Sequence, residues 1–265
     1  MQTGREQTKL TDQRLEIPFA KVSTQSQFPA NPAHVSPRVQ SLFPAGVVVV
    51  EMVGPGDPSM LYPGEAEYLG RAVPKRIQEF SAGRLCARLA LAAFGIVEFA
   101  LRVAQDRQPV WPVSVVGSIS HTAGFCVAAV AEKNRLRAIG VDCEVVGHVG
   151  ADLWASIFTP REALWVDSLP EPERPGAAAL IFSAKEAFYK CQYPLTGEWL
   201  DFHDLDVEPQ TWGGLRGGFL VRATRPLAVT ELTHDPAMGQ YLFHDGLVTT
   251  GMAVAVEASA RRDII

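Results

Sequence analysis

The stretch Gly-Val-Asp-Cys-Glu at residues 140–144 ends an apolar run that starts at Ala138 and predicts a β-strand. Asp142 and Glu144 stand two positions apart, and side chains at i and i+2 of a strand point to the same face. Paired carboxylate oxygens on one face suit a hard cation such as Mg²⁺. Two solvated acids at a strand end would give the same pattern, so this stretch alone leaves both interpretations open.

A second stretch, Phe-Ser-Ala-Lys-Glu-Ala-Phe-Tyr-Lys at residues 182–190, lies in a segment, 177–191, that has no Gly or Pro and predicts a helix. Glu186 and Lys190 are four positions apart and share one face of that helix. An ordinary surface ion pair is one explanation. The apolar residues around the two charges instead predict that part of this helix is buried.

Working outward, Phe-Ser-Ala-Gly-Arg at residues 80–84 echoes Phe-Ser-Ala-Lys-Glu at residues 182–186. Arg88 and Lys190 follow the two stretches at the same distance. Both halves of the chain also show helical segments followed by strand segments. The pattern favours an α+β fold of two pseudo-symmetric subdomains, each a small antiparallel sheet packed on helices, with the active site in the cleft between them. The echo reflects either an internal duplication or chance.

Composition and charge narrow the function classes. The 265 residues carry 24 Lys+Arg against 29 Asp+Glu, a net charge of −5, which argues against a nucleic-acid partner. No segment is long and apolar enough for a membrane span, no signal peptide is evident, and the 4 widely spaced cysteines are typical of reduced thiols, so we expect a cytoplasmic location.

The chain divides into three predicted regions. Residues 1–40 are polar, carry Pro29, Pro32 and Pro37 and predict a loosely packed N-terminal arm. Residues 41–136 form the predicted N-terminal subdomain and residues 137–265 the predicted C-terminal subdomain.

Gly-Val-Asp-x-Glu, followed some forty residues later by Phe-Ser-x-Lys-Glu-Ala-x-x-x-Lys, resembles the signature of the 4′-phosphopantetheinyl transferases. The similarity is to the pseudo-dimeric type that activates siderophore, polyketide and nonribosomal peptide synthetases. It extends upstream, in order, to Gly-Arg-x-Cys-Ala-Arg at 83–88, Trp-Pro at 111–112 and Gly-Ser-Ile-Ser-His at 117–121. The matching region covers roughly residues 71–207.

The resemblance implies a transfer of the 4′-phosphopantetheine group from coenzyme A to a serine hydroxyl of an apo carrier protein, with release of 3′,5′-ADP. It implies Mg²⁺ or Mn²⁺ as cofactor. The expected partners are acyl or peptidyl carrier domains of fatty acid, polyketide or nonribosomal peptide synthases, and the sequence does not select among them. Two halves in one chain make a monomer sufficient.

For the C-terminal subdomain, the resemblance implies that Asp142, Glu144 and Glu186 hold the metal ion on the pyrophosphate of coenzyme A. Lys190 would contact the phosphates and offset charge on the departing group, and Lys185 would lie beside the same site. Asp142, Lys185 and Lys190 are thus expected coenzyme A contacts. The expected general base is Glu186, or a water molecule that it orients.

For the N-terminal subdomain, residues 71–88 hold five basic side chains against one acid, and Arg suits bidentate phosphate contact. The resemblance implies that Arg76, Arg84 and His121 bind the 3′-phosphate of coenzyme A. Ser120 would hydrogen-bond a phosphate or cap a turn.

Two other functions use the same residues. A Mg²⁺-dependent hydrolase of nucleotide pyrophosphates would need the same carboxylates but would pass the group to water. A non-catalytic module that binds coenzyme A or a carrier would need no acidic triad.

Overall fold

The structure is a computed structural model that describes residues 31–34, 38–228 and 236–256. In this part of the chain the strands are β1 (Asn31–His34), β2 (Val48–Val53), β3 (Val115–Thr122), β4 (Phe125–Glu132), β5 (Leu136–Val145), β6 (Leu205–Pro209), β7 (Arg216–Ala223), β8 (Ala237–His244) and β9 (Leu247–Ala255). The α-helices are α1 (Pro63–Ala66), α2 (Pro74–Ala92), α3 (Ala151–Ile157), α4 (Pro160–Ser168) and α5 (Arg174–Thr196). None of the described helices combines the length and the apolar character that crossing a bilayer requires.

The N-terminal half is an antiparallel sheet of order β1-β2-β4-β3 with α2 packed on it. Strand β4 is apolar at almost every position because both of its faces are buried. Ala128 and Val130 pack with Cys86 and Ala90 of α2. Pro74 occupies the first turn of α2, where its missing N–H costs no helical hydrogen bond.

The C-terminal half is an antiparallel sheet of order β5-β9-β8-β7-β6, and α5 is its central helix. Ala138 of β5 packs in the same apolar cluster as α5, whereas Ile139 and Val141 pack in a separate cluster with β2 and β4. This alternation leaves Asp142 and Glu144 on the side of β5 that faces α5. The predicted α+β class with two related halves is confirmed.

Strands β3 and β5 join the two halves. Ser118 Oγ accepts a hydrogen bond from the Val141 N–H at 3.1 Å, and Ser120 Oγ accepts one from the Cys143 N–H at 3.3 Å. The two serines therefore connect the sheets at the point where β5 carries its acidic residues.

The structure differs from the sequence expectation at the N-terminal arm and in α5. Asn31–His34 pairs with β2, and Val39 is fully buried with its N–H donating to Glu51, while residues 1–30 and 35–37 lie outside the described part. Helix α5 begins before the predicted segment 177–191 and continues through Pro194 to Gly197, which ends it with φ near +66°.

Gly140 permits the close approach of α5 to β5. A Cβ atom at Gly140 would lie 1.9 Å from the Ala187 carbonyl oxygen and 2.9 Å from Cys191 Cβ, so the helix would have to move. We expect Gly140→Ala to lower the free energy of unfolding by about 3 kcal/mol. Gly214→Ala is the control, because the nearest atom to its new Cβ is at 3.5 Å. Urea unfolding of both variants measures the difference, and equal stabilities would contradict the close packing.

Candidate active site

A cavity of about 800 Å³ lies between the two halves, where the sequence predicts a cleft. Its walls come from α2, β3, β5 and α5, so both halves contribute side chains. It is lined by eight of the nine predicted site residues: Arg76, Arg84, Ser120, His121, Asp142, Glu144, Glu186 and Lys190.

Asp142 is the buried centre of this cavity. Its Oδ1 accepts hydrogen bonds from Ser120 Oγ at 2.9 Å and from Lys190 Nζ at 2.7 Å. Its Oδ2 is buried and has no hydrogen-bond partner among the described residues. A buried carboxylate oxygen without a donor is costly, which makes this atom a candidate ligand position.

Lys190 reaches Asp142 from α5. Its ammonium group also donates to Ser120 Oγ at 3.2 Å, and its side chain is 28% exposed, on the cavity side. Burial works to lower the pKa of Lys190, but the adjacent carboxylate of Asp142 outweighs it and the pKa is raised. Lys190 is therefore a permanent cation at neutral pH.

Glu144 and Glu186 are half-buried and face the same cavity. Burial raises the pKa of both carboxyl groups, and the negative charge of Asp142 adds to the shift in each case. Glu144 Oε1 accepts from the Val145 N–H at 2.7 Å. The three carboxyl groups therefore share one cavity.

The carboxylates do not form a closed ligand cage. Among the residues that the structure describes, no group of three or more His, Cys, Asp or Glu side chains is arranged to hold a metal ion. The donor chemistry nevertheless fits a hard divalent cation, because it consists of oxygen ligands and includes the unpartnered Oδ2 of Asp142. Such a cation commonly takes one or two protein carboxylates and completes its shell with phosphate oxygens and water.

A cationic group lies at the α2 side of the cavity. Arg76 Nη1 is 2.9 Å from His121 Nε2, and His121 Nδ1 is 3.8 Å from Glu79 Oε2. Because Arg is always a donor, Nε2 of His121 is the acceptor in this contact. Burial lowers the pKa of His121, which favours the neutral ring in the free protein.

Arg84 is buried at the same side. Its Nε donates to the Leu101 carbonyl at 2.8 Å, and its guanidinium carbon lies 4.0 Å from the centroid of the Phe80 ring. Burial lowers the pKa of Arg84 to about 10, so it remains charged at neutral pH. This arrangement holds a fixed, desolvated cation towards the cavity, which suits an anionic ligand group.

Lys185 is placed elsewhere, which corrects the expectation that it lies beside the coenzyme A site. It is 1% exposed, and its ammonium group donates to Glu162 and to the backbone carbonyls of Ile157 and Phe202. Adjacent residues of a helix point about 100° apart, so Lys185 faces the core of the C-terminal half when Glu186 faces the cavity.

Sequence reasoning gave no site role to the aromatic side chains that line the cavity, although several of them lie in the quoted motifs. They are Tyr68, Phe80, Trp111, Phe182, Tyr189 and Tyr193. A signal was present in α5, because Phe182, Tyr189 and Tyr193 stand at helical spacing from Glu186 and Lys190. The internal echo also has a structural counterpart. Arg84 and Glu186 occupy the same position of the two echoing stretches, and both line the cavity.

Two family models match this chain. A model described as the 4′-phosphopantetheinyl transferase N-terminal domain matches residues 64–131. A model described as the 4′-phosphopantetheinyl transferase superfamily matches residues 138–243.

Individual relatives agree. The 4′-phosphopantetheinyl transferase Svp of Streptomyces mobaraensis is 38% identical over 215 residues, which are 79% of this chain and 85% of the relative. The 4′-phosphopantetheinyl transferase Npt of Nocardia iowensis is 33% identical over 226 residues, 82% of this chain and 100% of the relative. Enterobactin synthase component D of Salmonella typhi is 38% identical over 120 residues, which are 44% of this chain and 48% of the relative. The chain therefore belongs to the 4′-phosphopantetheinyl transferase superfamily and is a 4′-phosphopantetheinyl transferase.

Proposed function

We propose that this transferase, which moves phosphopantetheine from coenzyme A to carrier proteins, requires Mg²⁺ or Mn²⁺, acts on a serine hydroxyl of an apo acyl or peptidyl carrier domain, and releases 3′,5′-ADP. The observation that carries the proposal is the state of Asp142. One carboxylate oxygen is engaged by Lys190 and Ser120, and the other is buried without a partner in a cavity that Glu144 and Glu186 also line.

Phosphoryl transfer depends mainly on positioning and on neutralising charge. A divalent cation held by Asp142, Glu144 and Glu186 would supply charge neutralisation at the pyrophosphate of coenzyme A. The ammonium of Lys190 stays protonated because of Asp142, and it offsets the negative charge that develops on the departing ADP phosphate.

Glu186 is the best placed general base. It faces the cavity without a hydrogen bond to the described residues, and burial raises its pKa towards neutrality, which strengthens it as a proton acceptor. It would take the proton of the serine hydroxyl directly or through a water molecule. The N-terminal half would hold the 3′-phosphate through Arg76, Arg84 and His121.

The test is a transfer assay with a panel of apo acyl and peptidyl carrier domains. The chain is incubated with coenzyme A and a carrier, in the presence of Mg²⁺, Mn²⁺ or a chelator. Intact-mass analysis reads the phosphopantetheine added to the carrier, and chromatography reads 3′,5′-ADP. We expect the two products in equal amounts, and neither of them with the chelator. The partial match to an enterobactin synthase component supports including peptidyl carriers.

The assay also separates the alternatives. A nucleotide pyrophosphate hydrolase would consume coenzyme A at the same rate without any carrier. A non-catalytic module would bind coenzyme A and produce neither product. Full carrier modification in the chelator would exclude the proposed metal requirement.

Arg84 tests the assignment of the 3′-phosphate. If its buried guanidinium contacts that phosphate, Arg84→Ala should weaken the binding of coenzyme A about a hundredfold and that of 3′-dephospho-coenzyme A only slightly. Calorimetric titration of both ligands measures the ratio. Arg161→Ala, in an ion pair on α4, is the control and should change neither affinity. Equal losses for the two ligands would refute the assignment.

A further inference from the structure

A fully buried ammonium group lies outside the cavity, on the core side of α5. Lys185 Nζ donates to the Ile157 carbonyl at 2.7 Å, to Glu162 Oε2 at 2.7 Å and to the Phe202 carbonyl at 2.8 Å. An ammonium group has three donors, and all of them are used. The acceptors come from the end of α3, from α4 and from the 3₁₀ turn Phe202–Asp204 before β6.

The partner carboxylate is equally saturated. Glu162 Oε1 accepts from the Val207 N–H of β6 at 2.7 Å, and Oε2 also accepts from the Thr159 N–H at 2.7 Å. Glu162 is 1% exposed. The Lys185–Glu162 pair therefore joins α5 to α3, α4 and β6 through directional bonds in the interior, where a lost partner leaves an uncompensated charge.

The pair bears on the cavity through the geometry of the helix. Lys185 directly precedes Glu186, and Lys190 follows five positions later. Gly140 limits the distance between α5 and β5, but a bare glycine contact does not fix the rotation of the helix about its axis. Side-chain groups lie about 6 Å from a helix axis, so a rotation of about 10° moves them by about 1 Å. A displacement of that size at a reacting group can cost about a hundredfold in rate.

We propose that Lys185 is a positioning residue: its three bonds set the rotation of α5 and so hold Glu186 and Lys190 at their working distances from Asp142. This inference rests on the proposed roles of Glu186 and Lys190. It gives Lys185 no contact with coenzyme A. It also makes Glu162 of α4 a positioning residue, because Glu162 accepts one of the three bonds.

The test separates turnover from ligand binding. The double variant Lys185→Met/Glu162→Gln removes both charges, while the methionine fills the space of the lysine stem and the glutamine carbonyl still accepts from Val207. We expect it to fold, to bind coenzyme A within about twofold of the unchanged protein, and to lose at least about tenfold in kcat at saturating carrier. Glu162→Asp alone keeps both charges of the pair and only shortens the carboxylate arm, so it is the milder variant and should lose about threefold in kcat at unchanged coenzyme A affinity.

Arg161→Met is the matched control. The Arg161 side chain is 61% exposed and forms ion pairs with Asp206 and Glu208 of β6. The variant therefore removes a neighbouring cation without touching the Lys185–Glu162 pair. Its kcat should equal that of the unchanged protein.

Each outcome of these assays either supports or overturns the positioning role of Lys185. A folded double variant that keeps its kcat overturns the inference, and so does a parallel loss of kcat and coenzyme A affinity, which would mean general damage to the fold. If the double variant does not fold, Glu162→Asp, which keeps both charges, decides by the same criteria. Failure of the proposed function is distinct, because it would appear in the unchanged protein as transfer without a divalent cation or without 3′,5′-ADP.

Discussion

Replacing Asp142 with asparagine is expected to reduce kcat about a thousandfold and to lower the melting temperature by about 5 °C. The loss of activity follows from the position of the carboxylate, which holds Lys190 on one oxygen and offers the unpartnered Oδ2 to the cavity. The loss of stability follows from Lys190, whose ammonium would keep only a neutral partner. Because 28% of the Lys190 side chain is exposed, we expect a cost of about 2 kcal/mol rather than that of a fully buried pair.

Thermal unfolding and steady-state transfer kinetics measure the two effects separately. The double variant Asp142→Asn/Lys190→Met should recover most of the lost stability and none of the lost activity, since it removes the uncompensated charge but not the need for the carboxylate. An Asp142→Asn variant with unchanged stability would contradict the buried pair, and one with unchanged kcat would contradict the proposed chemistry.

Much of the site follows from periodicity that the sequence displays. Alternation along a strand places Asp142 and Glu144 together, and the four-residue spacing in a helix places Glu186 with Lys190. These are local rules, so they do not depend on which elements become neighbours. The contact between the two pairs needed the family motif, because nothing in the spacing says that α5 packs on the acidic side of β5.

Lys185 shows where the motif alone misleads. As part of Phe-Ser-x-Lys-Glu it was expected at the coenzyme A site, whereas its helical phase places it with Ile181 and Phe188, which are buried. That phase was readable from the sequence. Its partner was not, because Glu162 looks like the acid of a helix-capping box with Thr159. Only the fold brings Lys185 of α5 to the same capping oxygen, Oε2, and the Val207 N–H of β6 to the other oxygen, Oε1.

The polar arm stays a prediction for residues 1–30 and 35–37, whereas Asn31–His34 pairs with β2 and Val39 is buried. Residues 31–34 are Asn-Pro-Ala-His and lie between Pro29 and Pro37, so composition predicts a loose segment. A short strand at the edge of a sheet needs only backbone hydrogen bonds, and these leave no mark on composition. The burial of Val39 depends in turn on Glu51, twelve residues away, which accepts its N–H.

Glu186→Gln should have the opposite effect on stability from Asp142→Asn while removing at least about a hundredfold in kcat. Burial raises the pKa of Glu186, and the charges of Asp142 and Glu144 add to this effect, so the folded protein holds the proton more tightly than the unfolded chain. The ionised carboxylate therefore costs the folded state free energy at neutral pH, and that cost disappears as the pH falls through the raised pKa. A neutral glutamine avoids it, so the melting temperature at neutral pH should equal or exceed that of the unchanged protein.

The pH dependence of the melting temperature gives a second test of this prediction. The difference in melting temperature between Glu186→Gln and the unchanged protein should shrink as the pH is lowered from neutral towards the ordinary glutamate pKa of 4.5. Glu171→Gln, an exposed acid before α5, is the control and should show no such trend. A Glu186→Gln variant that is less stable than the unchanged protein at neutral pH would mean that Glu186 has a stabilising partner, and it would then be neither a free base nor an open ligand. If Glu186→Gln is at least as stable as the unchanged protein but has lost its turnover, the Glu186 carboxylate destabilises the fold and is needed for the reaction. This is expected of a group whose charge serves catalysis.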